Sequence, residues 1–427
     1  MAHVDAERTK RLVEASLGAR HRRERLFQVA GFLATTVGVV FLAIFFWTLI
    51  AQGYSAFVQT FVKLDVEFSE SELAPAGTLD LQYANFDALA RSAFREYFPD
   101  VTGRSDRREL NKLLSVGPSY AIRDAIEQNP DLVGTTVSMW VPAAAIVDML
   151  VKENIDRNLP ESQRPLTDQQ IAWVDRLIER DALDTRFNTA LFSNGDSREP
   201  ELAGIRGALM GSFYMLLITI ALAFPIGAAA AVYLEEFAPK NRWSDLIEVN
   251  INNLAAVPSI VFGLLGLAVF INWMAIPRSA PLVGGLVLSL LTLPVIIIAS
   301  RAAIKAVPPS IREAAFGLGA SRVQVVFHHV IPLALPGMLN GAIIGMSRAL
   351  GESAPLLMIG VVAFIVDVPS GFSDPATALP VQIYLWADSP ERAFAERTSA
   401  AIIVLLGFLL LMNLAAIIMR KRVERQW

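Results

Sequence analysis

Two ionisable side chains, Arg348 and Glu352, lie in an otherwise apolar stretch in the last quarter of the chain. Arg348 follows Gly337 by eleven residues, about 17 Å along a helix, and therefore lies close to the middle of a bilayer. A charge at that depth is costly, so it is by default a candidate for function. A guanidinium binds an oxyanion through paired hydrogen bonds, and Glu352, one helical turn later, can pair with it. The alternative is a structural ion pair between helices.

Six apolar segments would position this pair. The chain has 427 residues, of which 54% are hydrophobic, and a mean hydropathy of +0.45. Stretches of about 20 apolar residues are long enough to cross about 30 Å of hydrocarbon. Apolar sequence continues past Pro355 to Val366, so the fifth segment is either one long kinked helix or a helix followed by an interfacial segment. The predicted spans are 27–51, 207–233, 254–274, 282–303, 333–353 and 400–419.

Basic residues indicate the orientation of these spans. Four arginines between 20 and 25 precede the first span, whose apolar run is too long for a cleaved signal peptide. We interpret it as an uncleaved anchor with the N-terminus in the cytoplasm. Alternation from there places the basic residues at 240–242, 305–322 and 420–422 in the cytoplasm too. The sequence therefore predicts a multi-pass membrane protein with both termini inside.

A polar segment, 308–331, separates the fourth and fifth spans and is called here the bent segment. Ser310 with Glu313, and Ser321 with Gln324, have the spacing of capping boxes, which predicts two short helices. The residues expected to bound these helices are Pro308 and Pro309 before the first, Gly317 and Gly319 between them, and Pro332 at the end of the second.

The bent segment also has the composition of a docking surface. Ile311, Leu318, Val323 and Phe327 supply an apolar face, and small residues allow close approach of a partner. Glu313 has two compatible roles: it stabilises its own helix as a capping residue, or forms a salt bridge to the partner, or does both. A membrane protein with such a surface is expected to pass a mechanical signal to a soluble protein.

A third region, residues 52–206, has the composition of a soluble domain and is called here the insert. It carries about nine more acidic than basic residues, whereas the N-terminal tail is basic, an asymmetry that suits opposite sides of a membrane. Residues 62–68 alternate apolar and polar as a half-buried strand does, and 78–83 repeat this more weakly. Helical spacing dominates afterwards. We expect a small α+β domain without a catalytic constellation.

Several functions are excluded by absent residue types. The chain has no cysteine and four histidines, so it lacks disulfides, thiolate metal sites and a His-rich metal site. A net charge of −4 does not suit nucleic-acid binding. There is no G-x-x-x-x-G-K-[ST] phosphate loop, so the chain is not expected to hydrolyse ATP. We therefore predict no metal, no cofactor and no enzymatic site.

The motif Glu313-Ala314-Ala315, followed after three residues by Gly319 and later by Pro332, resembles the EAA loop of binding-protein-dependent ABC importer permeases. The family usually has an aliphatic residue where this chain has His329. In that family the loop forms cytoplasmic coupling helices that dock into a groove of the ATPase subunit. The ATPase-coupling residues that this resemblance implies are Glu313, Ala314, Ala315, Gly319, Ser321, Phe327 and Pro332.

A wider resemblance runs from about residue 204 to the C-terminus. Segments 232–242, 256–263, 347–357 and 378–384 are similar to the phosphate-uptake permeases of the same family. The resemblance implies phosphate as substrate, with Ser347, Arg348 and Glu352 on its pathway. Some members carry Arg-Thr-x-Glu where this chain reads Ile298-Ala-Ser-Arg301, so we interpret Arg301 as reaching towards lipid headgroups. The insert looks like the N-terminal extension of longer members.

Together these inferences predict an all-α polytopic membrane protein with six transmembrane helices, the type I ABC importer permease fold and a small extracytoplasmic α+β insert. The expected partners are a homologous second permease subunit, two cytoplasmic ATPase subunits, a periplasmic phosphate-binding protein, phosphate and membrane lipid, in the bacterial inner membrane and without nucleic acid. The expected domains are a cytoplasmic tail (1–26), the first helix (27–51), the insert (52–206), a five-helix permease core (207–419) with coupling loop 308–331, and a cytoplasmic tail (420–427).

Two other functions remain open at this stage. An importer of the same type could carry another oxyanion, such as sulfate, molybdate or phosphonate. A signalling protein with an outer sensor domain, whose bent segment contacts a kinase, would share the same topology but would carry no flux.

Overall fold

The computed structural model describes residues 2–73, 81, 84–361 and 364–423. The chain divides into two compact units, residues 1–52 and 53–427. The first unit belongs to one long helix, α1 (Ala2–Gly53), which contains both the predicted basic tail and the first predicted span. The tail and the span are therefore continuous helix, because no proline or capping signal separates them.

The insert is built on a three-stranded antiparallel sheet with the order β2–β1–β3. Its central strand β1 places Leu64 opposite Met139 and Val62 opposite Leu183. The strands are β1 (Val58–Glu67), β2 (Thr136–Pro142) and β3 (Leu183–Phe187). The helices are α2 (Glu70–Leu73), α3 (Phe86–Arg95), α4 (Arg104–Asn111), α5 (Gly117–Gln128), α6 (Ala145–Val151), α7 (Asp168–Glu179) and α8 (Thr189–Ser193), with 3-10 turns at Tyr54–Phe57, Pro130–Leu132 and Glu161–Gln163.

The alternation in β1 buries one face of the strand, as predicted. Leu64, Val66 and Phe68 are fully buried and lie in one core with Phe94 and Trp173 of the covering helices, while Asp65 and Glu67 between them are exposed. The weaker strand predicted at 78–83 lies outside the described residues, except for Leu81, which is in a turn.

The sequence did not predict β2 and β3. The short strand β3 is exposed along most of its length, so it lacks the alternation that marks a half-buried strand. Both strands exist because β1 supplies their hydrogen-bond partners, an interaction between residues distant in sequence.

Helices dominate the remainder of the chain, called here the membrane core. Four described helices of this core are long and apolar enough to span a membrane, or five if one bent pair counts as a single span. Helix α1 raises these numbers to five and six for the described residues as a whole. The helices are α9 (Arg206–Val232), α10 (Arg242–Ala255), α11 (Ser259–Gly266), α12 (Pro281–Lys305), α13 (Pro309–Gly317), α14 (Arg322–Val325), α15 (Ile331–Gly351), α16 (Ala354–Met358), α17 (Leu379–Ala387) and α18 (Ala393–Val423). Three π-helical turns, at Tyr233–Phe237, Leu267–Trp273 and Val326–Val330, follow α9, α11 and α14. The predicted all-α polytopic fold with an α+β insert is confirmed.

The third predicted span is not one straight helix. A bend of 100° separates α10 from the helix that runs from Ser259 to Trp273. Pro258 lies at this break with an extended backbone, since it cannot donate the amide hydrogen bond that would continue α10. The predicted start at residue 254 thus falls at the end of α10, and the apolar helix begins five residues later.

The fifth predicted span ends as a helix followed by a separate short segment. Helix α15 stops at Gly351, and α16 adds one turn before Gly360 reverses the chain with a φ of +85°. Of the two alternatives left by the sequence, the single long kinked helix is therefore wrong.

Small residues let α9 and α12 pack closely. A Cβ atom at Gly284 would lie 2.7 Å from Met215 Sδ, and one at Gly285 would lie 2.6 Å from Ile218 Cβ. Thr219 adds a hydrogen bond across the contact to the carbonyl of Gly285 at 3.3 Å. In an apolar solvent such close contact between backbones holds helices together, because the hydrophobic effect does not.

Candidate functional site

The bent segment is tied to the end of α9 by Arg312. The guanidinium donates to Glu236 Oε1 from Nη2 at 2.8 Å and from Nε at 3.1 Å. It also donates to the carbonyls of Val307 at 2.7 Å and Ile304 at 3.0 Å, at the C-terminal end of α12. One planar cation therefore joins α13, α12 and the π turn after α9, so these elements are expected to move together.

The bend itself depends on Gly319. The N–H of Ala320 donates to the carbonyl of Ala315, and that of Gly319 to the carbonyl of Phe316, which is the hydrogen-bond pattern of a Schellman motif. Gly319 has a φ of +83°, in the left-handed region that only glycine adopts without strain. The predicted break between the two short helices is therefore present, with Gly319 as its left-handed residue.

The two predicted capping boxes had different outcomes. Ser321 caps α14, since its hydroxyl accepts from Gln324 N while Gln324 Oε1 accepts from Ser321 N, as predicted. The box at Ser310 and Glu313 is wrong, because the N-cap residue of α13 is Pro308, two residues earlier, and no side chain caps this helix. Proline also suits the first position of this helix, where an amide hydrogen would have no acceptor within the helix.

Pro332 does not end the second helix. The chain from Arg322 to Gly351 is helical throughout, with Pro332 in the first turn of α15. In a regular α-helix, the ring of Pro332 would clash with the carbonyl of His328, four residues earlier. His328 lies in the preceding π turn, Val326–Val330. The wider turn accommodates the proline ring, so the helix continues.

The bent segment presents an apolar surface that the described residues leave uncovered. Leu318 is 90% exposed, and Val323 and Phe327 are more than half exposed. Phe316, which the sequence analysis missed, is also about half exposed, whereas the predicted contact residue Ile311 is partly buried against the membrane core. Exposed large apolar side chains grouped on one turn mark an interaction surface.

The EAA residues have different environments within this surface. Ala315 is buried beneath it, while Glu313 and Ala314 are exposed. Within the part of the chain that the structure describes, no side chain forms an ion pair with Glu313. Its carboxylate is therefore available to a partner.

Arg301 belongs to a second ion-pair group beside Arg312. Its Nε lies 2.5 Å from Glu235 Oε1, and its Nη2 lies 2.7 Å from Glu248 Oε2 on α10. Lys305 adds a contact to Glu235 at 3.4 Å. The interpretation of Arg301 as reaching for lipid headgroups is wrong, because two carboxylates hold it inside the protein.

Arg348 and Glu352 lie at the end of α15, with Arg348 Nε 3.5 Å from Glu352 Oε1. Arg348 shares an exposed stripe of α15 with Asn340 and Ile344, at helical spacing. Ser347 points elsewhere: its hydroxyl donates to the carbonyl of Ile343 and contacts Asn413 Oδ1 of α18, each at 2.8 Å. The three residues of the predicted pathway therefore do not form a single cluster.

No group of three or more metal-ligating side chains suited to holding a metal ion occurs among the described residues.

Comparison with known proteins relates this geometry to a family. Residues 223–427 match the model described as binding-protein-dependent transport system inner membrane component. The chain is 32% identical over 217 residues to the phosphate transport system permease protein PstA 1 of Mycobacterium tuberculosis (strain ATCC 25618 / H37Rv), covering 51% of this chain and 70% of that relative. The chain belongs to this family of inner-membrane permeases.

Two other relatives are similar to part of the permease. The probable ABC transporter permease protein YqgI of Bacillus subtilis (strain 168) is 39% identical over 155 residues, 36% of this chain and 52% of that protein, so the match spans about half of its length. The phosphate transport system permease protein PstA of Haemophilus influenzae (strain ATCC 51907 / DSM 11121 / KW20 / Rd) is 29% identical over 224 residues, 52% of this chain and 78% of that protein.

The remaining comparisons concern the N-terminal region and the solved structures. Residues 14–161 of the permease match a domain of unknown function (DUF3333). A chain of the inward-facing MetNI methionine ABC transporter has a TM-score of 0.41 and 20% sequence identity, covering 52% of this chain and 96% of that chain.

Sequence reasoning missed the two carboxylates that hold the bent segment and the end of α12 in the permease. Glu236 is 76 residues from Arg312, and Glu235 is 66 residues from Arg301, so no helical or strand spacing connects them. The available signal was the pair Glu235-Glu236 at the end of an apolar span, where the burial of two acids requires nearby cations.

Proposed function

We propose that this permease is the subunit of an ABC importer that moves inorganic phosphate into the cytoplasm. The observation that carries the proposal is the 32% identity to a phosphate transport permease over 70% of that relative's length. The energy comes from a partner ATPase, since the chain contains no phosphate-loop motif of its own.

The proposed assembly contains this chain, a homologous second permease, two ATPase subunits and an extracytoplasmic phosphate-binding protein. Both termini and the bent segment lie in the cytoplasm, in accord with the basic residues at 20–25 and 420–422. This orientation places the insert outside, where a binding protein arrives.

Coupling follows from the contacts of the bent segment. The exposed side chains of Leu318 and Phe327 enter a groove of the ATPase, and the free carboxylate of Glu313 pairs with a basic residue there. Closure of the ATPase on ATP pushes α13. Arg312 passes that displacement to Glu236 at the end of α9, and the membrane core shifts between outward- and inward-open states.

On the pathway, Arg348 is the residue suited to phosphate. Its side chain is 46% exposed, on a stripe of α15 that is exposed among the residues the structure describes. Glu352, at 3.5 Å, is too distant for a strong hydrogen bond, so the guanidinium retains donors for an oxyanion. The second permease would close the pathway around it.

Uptake by the reconstituted complex tests the proposal. Proteoliposomes containing both permeases and the ATPase, with ATP at the ATPase side, are given labelled phosphate and the binding protein. We expect ATP-dependent accumulation that excess unlabelled phosphate abolishes. Sulfate, molybdate and a phosphonate, each with its own transport measured, serve as competitors. Accumulation of one of those anions without phosphate uptake would contradict phosphate as the substrate.

A further inference from the structure

A cleft of about 740 Å³ opens between the insert and a loop of the membrane core. One wall is the first half of α5 in the insert, with Val116 and Tyr120. The opposite wall is the core segment 364–368, and residues 190–199 form the floor. The cleft therefore exists only because the insert is docked on the core.

The walls of the cleft are held in place by close contacts. A Cβ atom at Gly195 would lie 1.9 Å from the carbonyl oxygen of Val366, so the floor and the core wall touch backbone to backbone. Asp196 N donates to the carbonyl of Ile365 at 3.3 Å, and Asp196 Oδ1 accepts from Trp386 Nε1 of α17 at 3.0 Å. A cleft with such fixed walls is preformed, which favours binding because little freedom is lost on association.

The lining of this cleft combines exposed apolar side chains with a rim that is acidic on balance. Four carboxylates line the cleft against one cation, Arg198, whose guanidinium lies 5.4 Å from the centre of the Phe364 ring. Tyr120 and Val366 are each more than half exposed, and Phe364 is nearly so. Asp124 on the insert wall and Asp367 on the core wall both line the cleft and are exposed. An apolar centre within a charged rim is the arrangement of a protein–protein interface.

A smaller pocket of about 320 Å³ adjoins the cleft and shares Val116 and Glu199 with it. Its wall includes Glu201, a carboxylate that is 2% exposed. Among the described residues none makes a hydrogen bond of normal geometry to either oxygen of Glu201, although the Ser115 hydroxyl lies close. Glu391 lines the same pocket, as do the cations Arg91 and Lys112, neither of which forms an ion pair with Glu201. A buried carboxylate without a partner is stabilised when a cation reaches it.

We propose that this cleft is the docking site of the extracytoplasmic binding protein, and that it accepts a basic segment of that protein flanked by apolar side chains. The inference depends on the importer function proposed above. It assigns the insert a role: its helix α5 supplies half of the docking surface, and core loop 364–368 supplies the other half.

The charge of the cleft decides between possible occupants. The excess of carboxylates repels phosphate itself, so the cleft is not a substrate site. Anionic headgroups are repelled in the same way, which argues against a lipid surface. A second copy of this chain would bring an equally acidic insert to the opening. A basic protein surface is the occupant with complementary charge.

Binding of the purified binding protein to the reconstituted complex tests the assignment. The test variant is Asp124→Lys with Asp367→Lys, and the matched control is Glu179→Lys, an exposed acid on α7 that does not line the cleft. We expect the test variant to weaken affinity at least about tenfold at low salt, with less effect as salt rises, because reversed charges oppose association. The control should bind as the parent does. Equal affinity of the test variant and the parent would overturn the assignment.

A photo-crosslinking residue in place of Tyr120 identifies the occupant. Crosslinking to the binding protein supports the docking site, whereas crosslinking only to the second permease or to lipid overturns it. Phosphate uptake by the parent complex separates this inference from the function on which it depends. If the parent complex takes up phosphate and the Asp124→Lys, Asp367→Lys variant binds the binding protein as the parent does, only the docking site is contradicted. If the parent complex takes up no phosphate, the phosphate proposal is contradicted.

Discussion

Lys152 Nζ lies 2.9 Å from Glu396 Oε1, a contact that joins the end of α6 in the insert to the first turn of α18. The same ammonium lies 2.7 Å from Asp148 Oδ2, and Asp148 Oδ1 accepts from Thr60 N at 2.7 Å. All three charged side chains are at most 11% exposed. The insert is thus held on the membrane core by a buried ionic group as well as by apolar contacts such as Leu191 with the core.

Lys152→Met should destabilise this attachment strongly. The change leaves Asp148 and Glu396 buried without their shared cation, and loss of one partner of a buried pair costs about 3–5 kcal/mol. Urea unfolding in detergent, followed by the fluorescence of the buried Trp173, measures the loss.

The matched control is Arg123→Met, which breaks the exposed pair with Glu127 on α5 and should leave the unfolding curve unchanged. A loss of stability in Lys152→Met no larger than in this control would show that the buried group does not hold the insert. Replacing Lys152 and Glu396 together by methionine should recover part of the loss, since fewer charges remain unpaired.

Gly319→Val should uncouple transport from ATP hydrolysis. Valine is strained at a φ of +83° by about 1–2 kcal/mol, which opens the bend of the Schellman motif and displaces Leu318. Phosphate uptake per ATP hydrolysed is the measurement. Gly319→Asn should retain more coupling, because asparagine tolerates the left-handed region. Gly317→Ala is the steric control, since a Cβ there meets nothing within 4 Å. Equal coupling in Gly319→Val and Gly317→Ala would refute the role of the bend.

Arg312→Lys should lower uptake about tenfold while the ATPase remains bound. A lysine keeps the charge, but it cannot make the double contact with Glu236 together with the two carbonyl contacts at the end of α12. Uptake and co-purification of the ATPase are measured together. Lys240→Gln, at an exposed position outside the ion pairs, is the control. Normal uptake in Arg312→Lys would show that the displacement travels by another route.

Arg348→Ala should reduce phosphate uptake at least about tenfold without loss of the ATPase, and Arg348→Lys should recover only part, because the ammonium lacks the planar fork. Ser347→Ala is a neighbouring control that removes a hydroxyl bonded to the carbonyl of Ile343 and to Asn413 of α18. Unchanged uptake kinetics in Arg348→Ala, with a lower melting temperature, would identify Arg348 and Glu352 as a structural pair.

Glu201→Gln should stabilise the protein at neutral pH. Burial, with a smaller contribution from Glu199, raises the pKa of Glu201 above its ordinary value of 4.5, while Ser115 and Arg397 act in the opposite direction. The folded state therefore binds this proton more tightly than the unfolded state, and stability falls as pH rises from 4.5 to the raised pKa.

The free energy of unfolding of Glu201→Gln and of the parent, measured at a series of pH values, checks the direction of this pH dependence. We expect the difference between them to be largest at neutral pH and to vanish below pH 4.5, where both states of the parent are protonated. A variant less stable than the parent at neutral pH would show that the ionised carboxylate has a partner in the folded protein.

Local chemistry explains what the sequence predicted well. The apolar runs located the membrane helices because spanning a bilayer requires about 20 apolar residues in succession. The alternation at 62–68 and the capping box at Ser321 each concern residues within a few positions of one another, and both are present. The predictions at Pro332 and Ser310 failed because a π turn and an alternative helix start satisfied the backbone in ways that propensity does not encode.

The sequence by itself determined the membrane helices, the place of the bent segment and the acidic character of the insert, since composition and short-range spacing suffice for each. Only the tertiary structure decided which charges meet. Arg312 pairs with Glu236, from which it is separated by 76 positions, and Lys152 pairs with Glu396, from which it is separated by 244. Packing brings these charges together because burying one of them alone would be costly. The cleft beside Tyr120 likewise arises from the contact between two regions that are far apart in the chain.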